Sequence, residues 1–95
     1  HTRLRTVTGV QTCALPIFYC YKSPGTYTSD SDWGVAAVHA GLLLPGEKGI
    51  IDFQQIGSVK PFMPLKGIGA GSDIIGNIWT DFWAAYKITL VRKLP

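Results

Sequence analysis

The segment from residue 32 to residue 41 constrains the fold of this chain more than any other. It is rich in alanine, has almost no polar face, begins with Asp32 and ends with Gly41. An aspartate can accept a hydrogen bond from the free N–H groups at a helix start, and glycine commonly follows a helix end. The pattern predicts a helix over residues 32–40. Because such a helix is apolar all round, we expect it to be buried and enclosed by strands.

Strand signals lie on both sides of this segment. Residues 50–56 are β-branched and aromatic, and Tyr86, Ile88 and Leu90 alternate with polar residues. Pro-Gly pairs at 24–25 and 45–46 predict turns, and residues 57–72 predict a long loop or two short strands. A chain of 95 residues forms one small domain. The predicted fold is α+β, with a central buried helix (about residues 32–40) wrapped by β-strands.

The first seventeen residues differ in character from the rest. They contain two arginines, no acidic residue and no period of 3.6 or 2, so neither a helix nor a strand is predicted there. Residues 7–17 resemble one reading frame of a common sequencing-library adapter, and residues 1–3 resemble the frame of its flow-cell end. The resemblance implies that residues 1–17 are an artefact and that the domain occupies residues 18–95. A basic transit peptide is the alternative.

Charge and cysteine content change when this segment is set aside. Without Arg3 and Arg5, seven basic residues stand against six acidic ones, so the net charge falls from +3 to +1. We therefore predict no nucleic-acid binding. No apolar run reaches the roughly 18–20 residues of a membrane span. Without Cys13, Cys20 is the one remaining cysteine. Three interpretations stay open: its disulfide partner was lost upstream, it is a buried free thiol, or it is unpaired in a reducing compartment.

Residues 27–42 resemble the core of the LCCL domain family. They contain a Tyr-Thr, an Asp-Ser pair and a helix ending Ala-Ala-Val-His-Ala-Gly, and residues 45–49 are similar to the turn that follows in that family. The residues that carry the motif are Tyr27, Asp30, Ser31, His39 and Gly41. The resemblance also implies a helix wrapped by strands.

The family occurs beside other extracellular domains in larger proteins and has a ligand-binding role without established chemistry. The resemblance therefore implies a secreted or cell-surface protein and a lipid, glycan or protein ligand. Many animal members have a cysteine where this chain has Gly34, so their disulfide is not implied here. The expected first strand overlaps the adapter-like segment, which predicts a domain truncated at its N-terminus. The oligomeric state is left open.

Polar residues in the motif each have a structural and a functional interpretation. His39 would need a nucleophile or an acid beside it for catalysis, and we favour a buried histidine whose ring N–H bonds a backbone carbonyl. Asp30 and Asp32 have a spacing that Ca²⁺ sites use, but capping of the helix is the simpler prediction. Residues 67–72 are glycine-rich but lack the Lys-Ser/Thr of a phosphate loop. We predict no metal, no cofactor and no catalytic residue.

Aromatic residues supply the candidate binding site. Trp79, Phe82 and Trp83, together with Phe62, form either an exposed platform for glycan or acyl chains or part of the core. Cys20 has no basic neighbour in sequence that would lower its pKa, so a reactive thiol is not expected.

Three functions follow from these observations. The leading hypothesis is a non-enzymatic LCCL-like binding module that uses Trp79, Phe82 and Trp83. The second is a structural spacer or assembly domain without a small ligand, and the third is a hydrolase fragment that uses His39. A buried His39 would argue against the third, and exposed tryptophans around a concavity would favour the first over the second.

Overall fold

The main feature of the fold is an antiparallel sheet of four strands. The computed structural model describes residues 2–10, 20–69 and 78–95. In chain order the elements are β1 (Thr2–Thr8), β2 (Thr26–Thr28), α1 (Trp33–His39), β3 (Lys48–Val59) and β4 (Trp83–Lys93). The strand order in the sheet is β1-β3-β4-β2. All neighbouring strands are antiparallel.

The two long strands form the centre of the sheet. β3 is rich in β-branched and aromatic residues, and Phe53 pairs with Ile88 of β4. The register shifts between Gln55 and Ser58, where Gly57 has a φ of 100°, which glycine adopts without the steric cost of a side chain. The strand predicted at residues 50–56 is therefore part of a longer one that bends near its end.

The helix lies where the sequence predicts it. The Asp32 side chain accepts a hydrogen bond from the Val35 N–H at 3.2 Å, which caps the first turn. Ala40 closes the last turn, and Gly41 follows with a φ of 76°. With only seven residues, α1 has two turns. Among the described residues, no helix is both long and apolar enough to cross a membrane.

The predicted α+β arrangement, a central helix wrapped by strands, is wrong. The molecule is mainly an antiparallel sheet with one short helix. Ala36 and Ala37 of the helix belong to the same core as Ile51 and Ile88 of the sheet. On another side, Ile68 N–H and Gly69 N–H bond the His39 carbonyl at 2.7 and 3.2 Å. The alanine content correctly indicated that the helix is buried. However, a loop covers part of the helix surface that we expected strands to cover.

The N-terminal segment also differs from the expectation that it contains no regular element. Thr2–Thr8 forms β1, an edge strand paired with β3 from Thr2 opposite Gln54 to Thr8 opposite Lys48. Leu4 is largely exposed, while Val7 is buried. The sequence of β1 does not alternate between apolar and polar residues. The strand forms through backbone hydrogen bonds to the edge of the sheet, and this pairing needs no particular side-chain pattern.

Candidate functional site

A cluster of three polar side chains is buried between the helix and the sheet. His39 ends α1, Tyr27 is the middle residue of β2, and Cys20 forms isolated backbone bridges to Tyr27 and Met63. All three side chains have 0% exposure. The LCCL-like motif residues Tyr27 and His39, twelve positions apart in sequence, are thus in direct contact.

Hydrogen bonds fix the orientation of the histidine ring. Its Nε2 lies 3.0 Å from the Leu65 carbonyl oxygen, which can only accept, so Nε2 carries the proton. With the imidazole neutral, Nδ1 accepts a hydrogen bond from the Tyr27 hydroxyl at 2.8 Å. The Cys20 thiol lies 3.7 Å from the same nitrogen. These contacts correspond to the structural interpretation of His39, in which a ring N–H bonds a backbone carbonyl.

A thiol beside an imidazole is also the arrangement of a cysteine nucleophile and its base. Here burial raises the pKa of Cys20 to about 12, and hydrogen bonding with Tyr27 opposes the rise only in part. Burial likewise raises the pKa of Tyr27 well above its usual range, with the neighbouring Cys20 adding to the rise. At neutral pH the thiol therefore stays protonated, and a protonated thiol is a poor nucleophile.

The other motif residues lie around the start and end of the helix. Ser31 is buried, and its hydroxyl lies 3.0 Å from that of Thr28. Asp30 is exposed, whereas Asp32 is the residue that caps the helix. Gly41 packs so closely that an added Cβ would lie 2.9 Å from the Ile68 side chain. These positions define the turn before the helix and the turn after it.

The aromatic edge, defined as Trp79, Phe82 and Trp83, lies at the N-terminal end of β4. Their exposed fractions are 39%, 63% and 40% respectively. The indoles of Trp79 and Trp83 meet edge to face, with centroids 6.4 Å apart and planes 86° apart. Phe62, grouped with them in the sequence, is instead fully buried and contacts Tyr21 edge to face.

Backbone pairing holds this edge in place. Trp79 and Phe62 exchange two hydrogen bonds of 2.9 and 2.8 Å, and Trp83 pairs with Val59 of β3. The Trp83 indole N–H donates to the Ser29 hydroxyl at 3.2 Å, and the Lys60 ammonium lies 4.6 Å from the centre of the Phe82 ring. The contacts with Ser29 and Lys60 were not predicted, because they arise from the sheet register and have no local sequence signal.

No family model, curated protein or solved structure matches this chain.

Two surface clefts are well defined by described residues. One, of about 500 Å³, lies beside residues 21–26, and another, of about 240 Å³, includes Arg3, Trp33 and Tyr86. Neither is lined by the aromatic edge. Among the described residues there is no group of three His, Cys, Asp or Glu side chains that could hold a metal ion. The glycine-rich stretch at residues 67–72 lies partly outside the described residues.

Proposed function

We propose that the chain is a non-catalytic, LCCL-like binding module of a larger extracellular protein and that its aromatic edge contacts a glycan or lipid ligand. The exposure of Trp79, Phe82 and Trp83 is the observation that carries this proposal. Aromatic rings bury large areas on contact, and those held rigidly lose little conformational freedom when they bind. Backbone pairing beside Trp79 and Trp83 supplies such rigidity.

A non-catalytic role is supported by the chemistry of the buried cluster. His39, the residue that a hydrolase would use, has 0% exposure, and both of its ring nitrogens have protein partners. General base catalysis needs the base within hydrogen-bond reach of the substrate or of one intervening water.

The binding proposal is tested with a double variant, Trp79→Ala with Trp83→Ala. Full-length chain is screened on a glycan array and against vesicles of neutral and anionic phospholipid, and the ligand found is then titrated against each variant. We expect the double variant to bind at least about tenfold more weakly, since tenfold corresponds to about 1.4 kcal/mol, within reach of two stacked rings.

Val91→Ala is the matched control, because Val91 is an exposed apolar residue of β4 outside the aromatic edge. Its affinity should equal that of the parent chain. Equal affinity in the double variant would rule out the aromatic edge as the contact surface. Absence of binding on both the array and the vesicles would instead favour the spacer or assembly domain.

A further inference from the structure

A second surface, separate from the aromatic edge, combines apolar side chains with positive charge. It is the cleft of about 500 Å³ beside residues 21–26, which we call the lysine cleft. Apolar residues of its lining include Tyr21, Leu42 and Ile56. Ile88 also lines it, but its side chain is buried in the core. Ligand pockets for small molecules typically measure about 300–1,000 Å³. The volume of this solvent-open cleft falls within that range.

The charge of this cleft has one sign. Among the described residues, its lining includes Lys22 and Lys87 and no acidic residue. Both lysines are exposed, so their ammonium groups remain hydrated until a ligand arrives. Two cations at an apolar surface complement a molecule that has an anionic head and an apolar body.

Short backbone hydrogen bonds shape the wall that bears Lys22. The Tyr21 N–H donates to the Thr26 carbonyl at 3.0 Å, and the Ile88 N–H donates to the Gly25 carbonyl at 2.8 Å. The first bond closes the turn and the second ties it to β4. Lys22 itself has a φ of 65°, a left-handed conformation that a residue with a Cβ adopts at a cost. A positive φ is uncommon in residues other than glycine.

We propose that the lysine cleft binds a single-chain fatty acid in its ionised form. The carboxylate lies between the ammonium groups of Lys22 and Lys87, and the alkyl chain covers Leu42 and Ile56. Lysine acts as a point charge and suits a compact carboxylate. The described lining residues include no arginine that could form a bidentate pair. Each methylene removed from water adds to the affinity, so the chain supplies affinity and the lysines select the head group.

Octanoate below its micelle concentration is the probe, titrated into full-length ¹⁵N-labelled chain and followed by amide chemical shifts. Saturable shifts are expected at Lys22, Ile56 and Lys87. Octanol, which has the same chain without charge, should bind at least tenfold more weakly, and acetate should not saturate. The absence of saturable shifts with octanoate, or equal binding of octanol, overturns the proposal.

Lys22→Asn combined with Lys87→Gln removes both charges, and asparagine tolerates the left-handed conformation at position 22. Octanoate affinity should fall at least tenfold, and amide dispersion reports whether the variant remains folded. Lys66→Gln, at an exposed lysine outside the cleft, should leave the affinity unchanged. An equal loss in Lys66→Gln would mean that only net charge matters and would refute the site.

The double variant Trp79→Ala with Trp83→Ala separates this site from the proposed function. It should retain octanoate binding, because neither tryptophan lines the lysine cleft. Loss of octanoate binding in that variant would move the site to the aromatic edge and overturn the proposal for the cleft. The fatty-acid site does not depend on the proposed function, so either can fail alone.

Discussion

At the scale of single residues, the Cys20, Tyr27 and His39 cluster shows how the same side chains can stabilise a fold or perform chemistry. The 3.7 Å contact between thiol and imidazole has the composition of a catalytic pair. Burial changes its properties, because the pKa of Cys20 rises to about 12 and the charged form becomes rare at neutral pH. The cluster connects the helix end, β2 and the loop at Leu65 through hydrogen bonds made by one ring.

Replacing Tyr27 with phenylalanine tests that role. The change removes the hydroxyl that donates to His39 Nδ1 at 2.8 Å inside the core, and the weaker thiol donor of Cys20 stays 3.7 Å from that nitrogen. A buried polar atom that loses its partner costs about 1–3 kcal/mol. We expect the free energy of unfolding, measured by urea denaturation, to fall by that amount.

Tyr86→Phe is the matched control, since Tyr86 is half-buried on β4 and contacts Trp33 through its ring. It should change the free energy of unfolding by less than about 0.5 kcal/mol, as substitutions away from buried networks do. If Tyr27→Phe were as mild as Tyr86→Phe, the hydroxyl would not stabilise the cluster.

At the scale of elements, the short helix depends on its cap more than a long helix would. The first four N–H groups of any α-helix have no partner inside the helix. In a helix of two turns, these groups are a large share of all its N–H groups. Asp32 supplies one acceptor, at 3.2 Å from the Val35 nitrogen. The helix is also positioned by Trp33, whose ring meets Phe53 edge to face at 4.9 Å.

Substituting Asp32 by alanine therefore has a defined expectation. Loss of a helix cap costs about 0.5–2 kcal/mol, so the midpoint of urea unfolding should decrease without a change in slope. Asp30→Ala is the control, because Asp30 is exposed and is not the cap. Equal losses in both variants would indicate a general effect of negative charge near the helix start and would contradict a specific cap.

The sequence predicted elements with strong local signals and failed where structure depends on distant pairing. Asp32 and Gly41 fixed the helix ends, and the β-branched residues of β3 fixed a strand, because these signals lie within a few neighbouring positions. The predicted place of the helix in the fold was wrong, because alanine content indicates that a helix is buried but not which elements bury it. Lys60 near Phe82 follows only from sheet register.

At the scale of the whole molecule, the main question is whether β1 belongs to the domain. Its pairing with β3 is regular, and Gly9 N–H bonds the Glu47 carbonyl at 2.8 Å. However, among the described residues of β1, only Val7 places its side chain in the hydrophobic core. The remaining strands include the central pair, β3 and β4, and most of the core. We propose that residues 1–17 lie outside the domain, as the adapter resemblance implies.

Deletion of residues 1–17 is compared with Ile51→Ala, which truncates a fully buried side chain of β3. Such a truncation costs about 2–5 kcal/mol. Among the described residues of the deleted segment, Val7 is the side chain in the core, and full burial of a valine contributes about 1.5–3 kcal/mol. The backbone groups freed on β3 regain water, which limits the cost of their lost pairing. We therefore expect the deleted chain to unfold cooperatively in urea and to lose less stability than Ile51→Ala. A deletion more damaging than Ile51→Ala would show that β1 is a strand of the native domain.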